Sequence, residues 1–158
     1  MAEIHKSATI KAAVEDVFTI IENPENYPRY VPNVSEVVGV QRTDQRVGDS
    51  FRVIYKVLGV TFDARFTTTD YLRPNRLGSN FEGGMSGTFR WNLEALGPQT
   101  KLSVDVEYRM PGGGLGKAID SMLLERVNEK SIEGMLENLS RLISKAGVPI
   151  SVKGGQVK

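Results

Sequence analysis

The side chains that most often perform chemistry in proteins are scarce in this sequence. It contains no cysteine and a single histidine, His5. Thiol nucleophiles, disulfides, thiolate zinc sites and iron–sulfur clusters are therefore excluded, and one histidine makes histidine-based metal sites and catalytic triads implausible. His5 stands between Ile4 and Lys6 with no nucleophile nearby, which predicts a solvated surface position. We expect no metal site, no cofactor and no catalytic residue.

A pair of carboxylates on one predicted strand is the next candidate for chemistry. Asp105 and Glu107 share a strand face, as a general acid and a general base would. They alternate in sequence with basic residues, Lys101 and Arg109, and such a pattern is typical of an ion-paired outer surface. We therefore expect these carboxylates in solvent and not in a site.

A glycine-rich segment, PGGGLGKA at 111–118, superficially resembles a phosphate-binding loop. A Walker A loop requires glycine where Pro111 stands and serine or threonine where Ala118 stands, and a dinucleotide fingerprint requires glycine where Lys117 stands. Nucleotide binding is therefore not predicted. The expected role is conformational: a turn from the last strand into the final helix, able to move as a lid.

Composition and charge narrow the class of protein. The 158 residues suit one domain, and 20 Lys plus Arg against 19 Asp plus Glu give a net charge of +1. Because a net charge this close to zero produces no strong electrostatic field, nucleic-acid binding is not expected. Because no apolar stretch is long enough for a signal peptide or a membrane span, we expect a cytoplasmic protein. We expect one domain over 1–147 and a flexible tail over 148–158.

Hydrophobic periodicity predicts the elements at the start of the chain. A strand is predicted over 4–11, followed at once by a helix. The helix must end by Asn23, because prolines then recur at every fourth position, and the connector that follows has room for one short helical turn. The apolar face of the helix consists of Val14, Val17, Phe18 and Ile21.

From Val34 to Met110 the apolar period is two, which predicts an antiparallel meander with one face in water and one face to be covered. The cover is an amphipathic helix over 116–146. Its main apolar stripe comprises Ile132, Met135, Leu136, Leu139, Leu142, Ile143 and Ala146. An early stripe, made of Leu115, Ile119, Met122 and Leu123, lies almost opposite. One straight helix cannot bury both, so either it bends over 127–131 or the early stripe covers a loop, a partner or a ligand entrance.

This order of elements resembles the helix-grip fold of the START-like superfamily, over 4–146. The residues that carry the resemblance are SATIKAAVEDVFTIIENPENYPRYVPNV, VGDSFRV and FRWNLEALGPQTKLSVDVEY. The segment YRMPGGGLGKAIDSMLLERV is similar to polyketide cyclase/dehydrase-like lipid-transport proteins and to carbon monoxide dehydrogenase subunits of the G type. One departure is Ala13, where the family usually has proline, and it affects only the start of the first helix.

The resemblance implies an α+β fold in which a curved antiparallel sheet wraps around a long C-terminal helix. It also implies a cavity between the two that holds an apolar small molecule, such as a lipid, sterol, quinone or polyketide. Side chains that point inward at period two are in most proteins simply core, and that alternative stays open. Tyr55 and Tyr108 are the stronger candidates, because a buried phenol needs a hydrogen-bond partner. The candidate ligand-binding residues are Tyr55, Phe66, Phe81, Trp91, Tyr108, Met122 and Met135.

Three functions remain open from the sequence. The first is binding or transport of a hydrophobic small molecule or lipid without transforming it. The second is a cyclase, aromatase or dehydratase, which requires at least two polar side chains that converge inside the cavity. The third is docking to an enzyme complex or a membrane through the early stripe. The inward polar residues available to the second are Tyr55, Tyr108, Thr68 and Asp70, the last two depending on strand register. Neither the oligomeric state nor the identity of the ligand is indicated.

Overall fold

The computed structural model describes residues 2–109 and 120–146. The glycine-rich segment 111–118, two members of the early stripe (Leu115 and Ile119) and the predicted tail over 148–158 lie outside the described residues. The lid and the tail therefore stay predictions.

Seven strands and three α-helices make up the described part of the chain. The first half contains β1 (Ala2–Ile10), α1 (Val14–Ile21), a 3₁₀ turn (Pro24–Asn26), α2 (Tyr27–Tyr30), β2 (Val34–Gln41), β3 (Ser50–Val57) and β4 (Val60–Leu72). The second half contains β5 (Arg76–Glu82), β6 (Ser86–Leu96), β7 (Gln99–Arg109) and α3 (Ser121–Ala146). The fold is α+β with the predicted helix-grip architecture. The helix α1 begins at Val14 although Ala13 provides no side-chain cap.

The strands form one antiparallel sheet in the order β1-β7-β6-β5-β4-β3-β2. Each strand from β2 to β7 pairs with its neighbour in sequence, and β1 pairs with β7. The segment from α1 to α2 therefore carries the chain from one edge of the sheet to the other. The predicted alternation over the meander is confirmed: inward residues such as Phe51, Val53 and Trp91 are buried, and outward neighbours such as Arg90 are exposed.

The helix α3 covers the inward face of the sheet with the predicted stripe. Met135, Leu136, Leu139 and Ile143 are buried, and Leu139 has no exposed surface. The described helix begins at Ser121, and residues 116–119 of the predicted helix lie outside the described residues. Asp120 Oδ1 accepts the backbone N–H of Leu123 at 3.0 Å and so caps the first turn.

The two described members of the early stripe face away from the sheet. Met122 is 66% exposed and Leu123 is 46% exposed, while α3 continues as one helix through 127–131. The helix therefore buries its main stripe and leaves Met122 and Leu123 of the early stripe exposed. Docking through the early stripe stays a prediction. Within the described ranges, no helix combines the length and the apolar character needed to cross a membrane.

Polar contacts on both sides hold α3 in place. From β1, the Nζ of Lys6 lies 3.0 Å from a carboxylate oxygen of Glu129 and 2.9 Å from one of Glu133. On the other side, Asn138 Nδ2 donates to the carbonyl oxygen of Tyr30 at 3.1 Å. These contacts add to the burial of the apolar stripe in placing the helix against the sheet.

A glycine inside α3 lets the helix approach the connector that precedes β2. A Cβ at Gly134 would lie 3.2 Å from Cγ of Pro32, which is tighter than ordinary contact. Glycine within a helix costs about 1 kcal/mol relative to alanine. In return, the absence of a side chain at Gly134 allows α3 to pack closely against Pro32.

Replacing Leu139 by alanine tests whether the α3 stripe is core. We expect Leu139→Ala to lower the free energy of unfolding by about 2–5 kcal/mol, because it leaves a void at a fully buried position. The matched control is Leu123→Ala in the same helix, for which we expect a change within about 0.5 kcal/mol. Urea unfolding monitored by circular dichroism measures both. Equal losses in the two variants would contradict the burial assigned to the stripe.

Candidate ligand-binding cavity

A cavity of about 140 Å³ lies between the inward face of the sheet and α3. The sheet and its β5–β6 hairpin contribute Ile4, Val53, Tyr55, Val57, Phe66, Phe81, Met85, Phe89, Trp91, Val106 and Tyr108. The connector, the first residue of β2 and α3 contribute Tyr27, Val31, Pro32, Asn33, Val34, Asn128, Ser131, Ile132 and Met135. Protein interiors contain few voids larger than a water molecule, so a space of this size is a distinct feature of the fold.

The lining is apolar and uncharged. Among the residues that the structure describes, no aspartate, glutamate, lysine, arginine or histidine belongs to it. Its polar side chains are phenols, an indole, two carboxamides and one hydroxyl, which belong to Tyr27, Tyr55, Tyr108, Trp91, Asn33, Asn128 and Ser131. The described lining therefore has hydrogen-bonding groups but no group whose ordinary pKa lies near neutrality.

A row of aromatic rings across neighbouring strands builds the floor of the cavity. Phe51, Phe66 and Phe81 are direct cross-strand partners on β3, β4 and β5. The rings of Phe66 and Phe81 stack with centroids 5.2 Å apart, and those of Phe51 and Phe66 stack at 5.4 Å. Such pairs stabilise each other, and Phe66 and Phe81 of this row line the cavity while Phe51 extends the row beyond it.

The same row continues through Gly87 on β6 to Tyr108 on β7. Only glycine fits in the row at this point, because a Cβ at position 87 would lie 1.9 Å from the carbonyl oxygen of Glu107. The absence of a side chain at Gly87 leaves Phe81 and Tyr108 without a ring between them. The row of rings is thus interrupted beside Tyr108.

Six of the seven predicted ligand-binding residues lie together around this cavity: Tyr55, Phe66, Phe81, Trp91, Tyr108 and Met135. The seventh, Met122, does not join them. It stands in the first turn of α3, 66% exposed, on the face opposite the buried stripe. Whether the six contact a ligand stays a prediction.

Several lining residues on the connector and on α3 are not found by sequence reasoning. Tyr27 and the segment 31–34 belong to a stretch whose prolines indicate only a connector. Asn128 and Ser131 are polar and so stand outside the apolar stripe, yet with Ile132 and Met135 they follow a spacing of three, one and three residues along one helical face. That spacing along one helical face is the sequence pattern from which Asn128 and Ser131 could be predicted as lining residues.

The two inward polar candidates on β4 lie outside the cavity. Thr68 is buried but lines a separate recess of about 20 Å³. Asp70 points outward and pairs with Arg76 at 3.0 Å, because the register of β4 against β5 shifts between Thr68 and Asp70. A bulge of this kind reverses the face that a side chain occupies.

Charged side chains line the recess near Thr68 and contact the end of α1. The hydroxyl of Tyr71 donates to Glu22 at 2.5 Å, and Arg46 lies 3.2 Å from Glu22 and 2.7 Å from Asp49. Burial and the bond to Glu22 raise the pKa of Tyr71 to about 12. The groups of this network are paired with one another.

Tyr108 differs from the other polar groups of the lining. It is 2% exposed, and its buried hydroxyl has no hydrogen-bond partner among the described residues. Burial raises the pKa of Tyr108, and the Asn128 amide, which approaches the phenol oxygen without reaching hydrogen-bond geometry, offsets part of the rise. Within the described chain, the Asn128 amide donates only to the sulfur of Met85, at 3.7 Å, which is a weak acceptor. Two hydrogen-bond donors therefore stand on one wall of the cavity without a strong acceptor from the described residues.

The groups that the sequence predicts in solvent are found there. His5 is exposed on β1, and its ring lies 2.7 Å from Asp105 and 3.2 Å from Glu3. Hydrogen bonds to these two carboxylates raise the pKa of His5. Among residues 2–109 and 120–146, no cluster of three or more histidine, aspartate or glutamate side chains is arranged to hold a metal ion.

Residues 1–144 match the model of a family described as polyketide cyclase / dehydrase and lipid transport. The chain belongs to this family. No curated protein gives a significant match to the sequence. The similarity to subunits of carbon monoxide dehydrogenase stays a prediction.

Solved structures of low sequence identity share the fold of this family member. A protein from Thermus thermophilus is 17% identical with a TM-score of 0.78, over 92% of this chain and 99% of that chain. A START superfamily protein from Mycobacterium smegmatis is 17% identical with a TM-score of 0.73, over 90% and 97% of the two chains. The Zhui aromatase/cyclase from a Streptomyces species is 18% identical with a TM-score of 0.71, over 98% and 99%.

The tyrosines provide a test of the environment around the cavity. All five, Tyr27, Tyr30, Tyr55, Tyr71 and Tyr108, have a pKa raised above its ordinary value, in each case chiefly by burial. We expect little tyrosinate absorbance at pH 10 in the native protein. In concentrated urea, about half of the full signal should appear at the same pH.

The raised pKa values also predict a pH dependence of stability. The native state holds the phenol protons more tightly than the unfolded state, so their contribution is complete below pH 10 and is lost as the pH rises above it. The free energy of unfolding, measured with urea between pH 8 and 11, should fall above pH 10. Native phenols that titrate near pH 10 would contradict their burial.

Proposed function

We propose that this protein binds or carries a hydrophobic small molecule or lipid in the cavity between the sheet and α3, without transforming it. The observation that carries the proposal is an apolar space of about 140 Å³ with no charged group among the described residues of its lining. Apolar side chains that face such a space lack packing partners, and a ligand that fills it supplies them.

The chemistry of the described lining supports binding without turnover. General acid–base catalysis works best when a group has a pKa near the operating pH. The titratable side chains of the described lining are phenols whose pKa values are raised, so they stay protonated at neutral pH. They can donate hydrogen bonds but do not act as bases.

The first experiment identifies what the protein carries. Native mass spectrometry after mild purification should show a population heavier than the bare chain, and organic extraction should release the bound molecule. Trp91 is the single tryptophan of the chain and lines the cavity, so its fluorescence reports filling of the site. The proposal would be overturned if native mass spectrometry showed only the bare chain and if apolar probes left the fluorescence of Trp91 unchanged.

A matched pair of variants tests where binding occurs, with ethylbenzene as the probe. Ser131 is a half-buried lining residue of α3, and Ser144 is exposed on the same helix. We expect Ser131→Trp to weaken binding at least tenfold, because an indole takes up much of the cavity, and Ser144→Trp to leave the Kd unchanged. Titration calorimetry measures both. Wild-type affinity in the two variants would place the binding site elsewhere.

A second candidate function is a cyclase or aromatase activity on a linear poly-β-ketone. The observation that favours it is the pair Tyr108 and Asn128, two polar side chains that meet inside the cavity. The structural similarity to an aromatase/cyclase supports it at the level of the fold. If binding without turnover is correct, incubation with a linear poly-β-ketone gives no protein-dependent cyclic product by mass spectrometry. A cyclic product that Tyr108→Phe abolishes would favour the second candidate.

A further inference from the structure

The cavity selects against charged ligands. None of its described lining side chains carries a charge, and its polar groups are neutral. A carboxylate or ammonium placed there would lose its hydration without gaining a counter-ion, which is strongly unfavourable. The ligand must therefore place an uncharged part in the cavity.

The size of the cavity limits that uncharged part. A space of about 150 Å³ lined by apolar side chains holds a molecule the size of benzene. The cavity here measures about 140 Å³, and its floor is made of rings that stack on one another, including Phe66 and Phe81. A single aromatic ring with a short substituent fits this volume and presents a flat face to the floor.

One wall of the cavity presents hydrogen-bond donors that lack strong acceptors in the described part of the chain. The buried hydroxyl of Tyr108 has no partner there, and the Asn128 amide has only the sulfur of Met85 at 3.7 Å. Buried polar groups in proteins are nearly always paired, so the unpaired hydroxyl of Tyr108 indicates a missing partner, and the half-buried Asn128 amide stands beside it. A carbonyl oxygen has two lone pairs and can accept from both donors.

We infer that the ligand places in this cavity a neutral single-ring group bearing a carbonyl, whose oxygen accepts hydrogen bonds from Tyr108 and Asn128. The inference rests on the proposed function and narrows it to a ligand class. The aromatic floor provides affinity for the ring of the ligand, and Tyr108 selects for its carbonyl oxygen.

The test uses two probes of nearly equal size, acetophenone and ethylbenzene, which differ in that a carbonyl replaces a methylene. Binding is followed by titration calorimetry and by Trp91 fluorescence. Since a net hydrogen bond corresponds to a factor of roughly three to ten in affinity, we expect acetophenone to bind that much more tightly. Benzoate, of similar size but charged, should not bind measurably.

Two phenylalanine variants locate the selectivity. Tyr108→Phe removes the hydroxyl in the cavity, and the affinity ratio of acetophenone to ethylbenzene should fall to about one or below. Tyr30→Phe is the matched control, because its hydroxyl is also buried without a partner among the described residues but the residue does not line the cavity. It should keep the wild-type ratio. Neither substitution removes a hydrogen bond within the described part of the protein, so both variants should fold.

The outcomes separate this inference from the proposed function. Equal binding of acetophenone and ethylbenzene to wild type, unchanged in Tyr108→Phe, would overturn the inference and leave hydrophobic binding intact. Benzoate binding as tight as that of acetophenone would overturn the requirement for a neutral ligand. If neither neutral probe binds and no bound molecule is found by native mass spectrometry, the proposed function fails as well.

Discussion

One α-helix is too narrow to fill the inward face of a seven-stranded sheet. Strands spaced about 4.8 Å apart make a surface nearly 30 Å wide, whereas a helix with its side chains measures about 10–12 Å across. Curvature of the sheet and the packing of α1 close part of the difference. The remainder is the cavity, so the space that we propose as a binding site follows from the architecture itself.

The position of α3 decides how large that space is. Lys6 reaches from β1 to two glutamates of α3, and Asn138 donates to the carbonyl oxygen of Tyr30 on the other side. At Gly134 the helix comes within close contact of Pro32. Pro32 lines the cavity, whereas Lys6, Gly134 and Asn138 do not. Together with the buried stripe of α3, these contacts place the helix so that the cavity stays open.

The strands, the helices and the inward side chains could be predicted from the sequence, because each depends on residue periodicity, whereas the cavity is what the resemblance to the helix-grip fold implies. Alternation at period two identifies which side chains point inward, and this is why five predicted strand residues, among them Phe66 and Tyr108, lie in the lining. One kind of information was not local: the bulge that turns Asp70 outward depends on pairing with β5. The exposure of Met122, in contrast, follows from helical phase, because the early stripe lies opposite the buried stripe. The empty volume itself has no signature in the sequence.

Xenon binding tests most directly the claim that an apolar cavity separates the sheet from α3. Xenon enters dry, apolar cavities of this size and is located by its strong scattering in a crystal held under the gas. We predict a xenon site in contact with Phe66, Phe81 and Met135. A crystal structure under xenon pressure that shows no such site, with protein side chains filling the space, would contradict it.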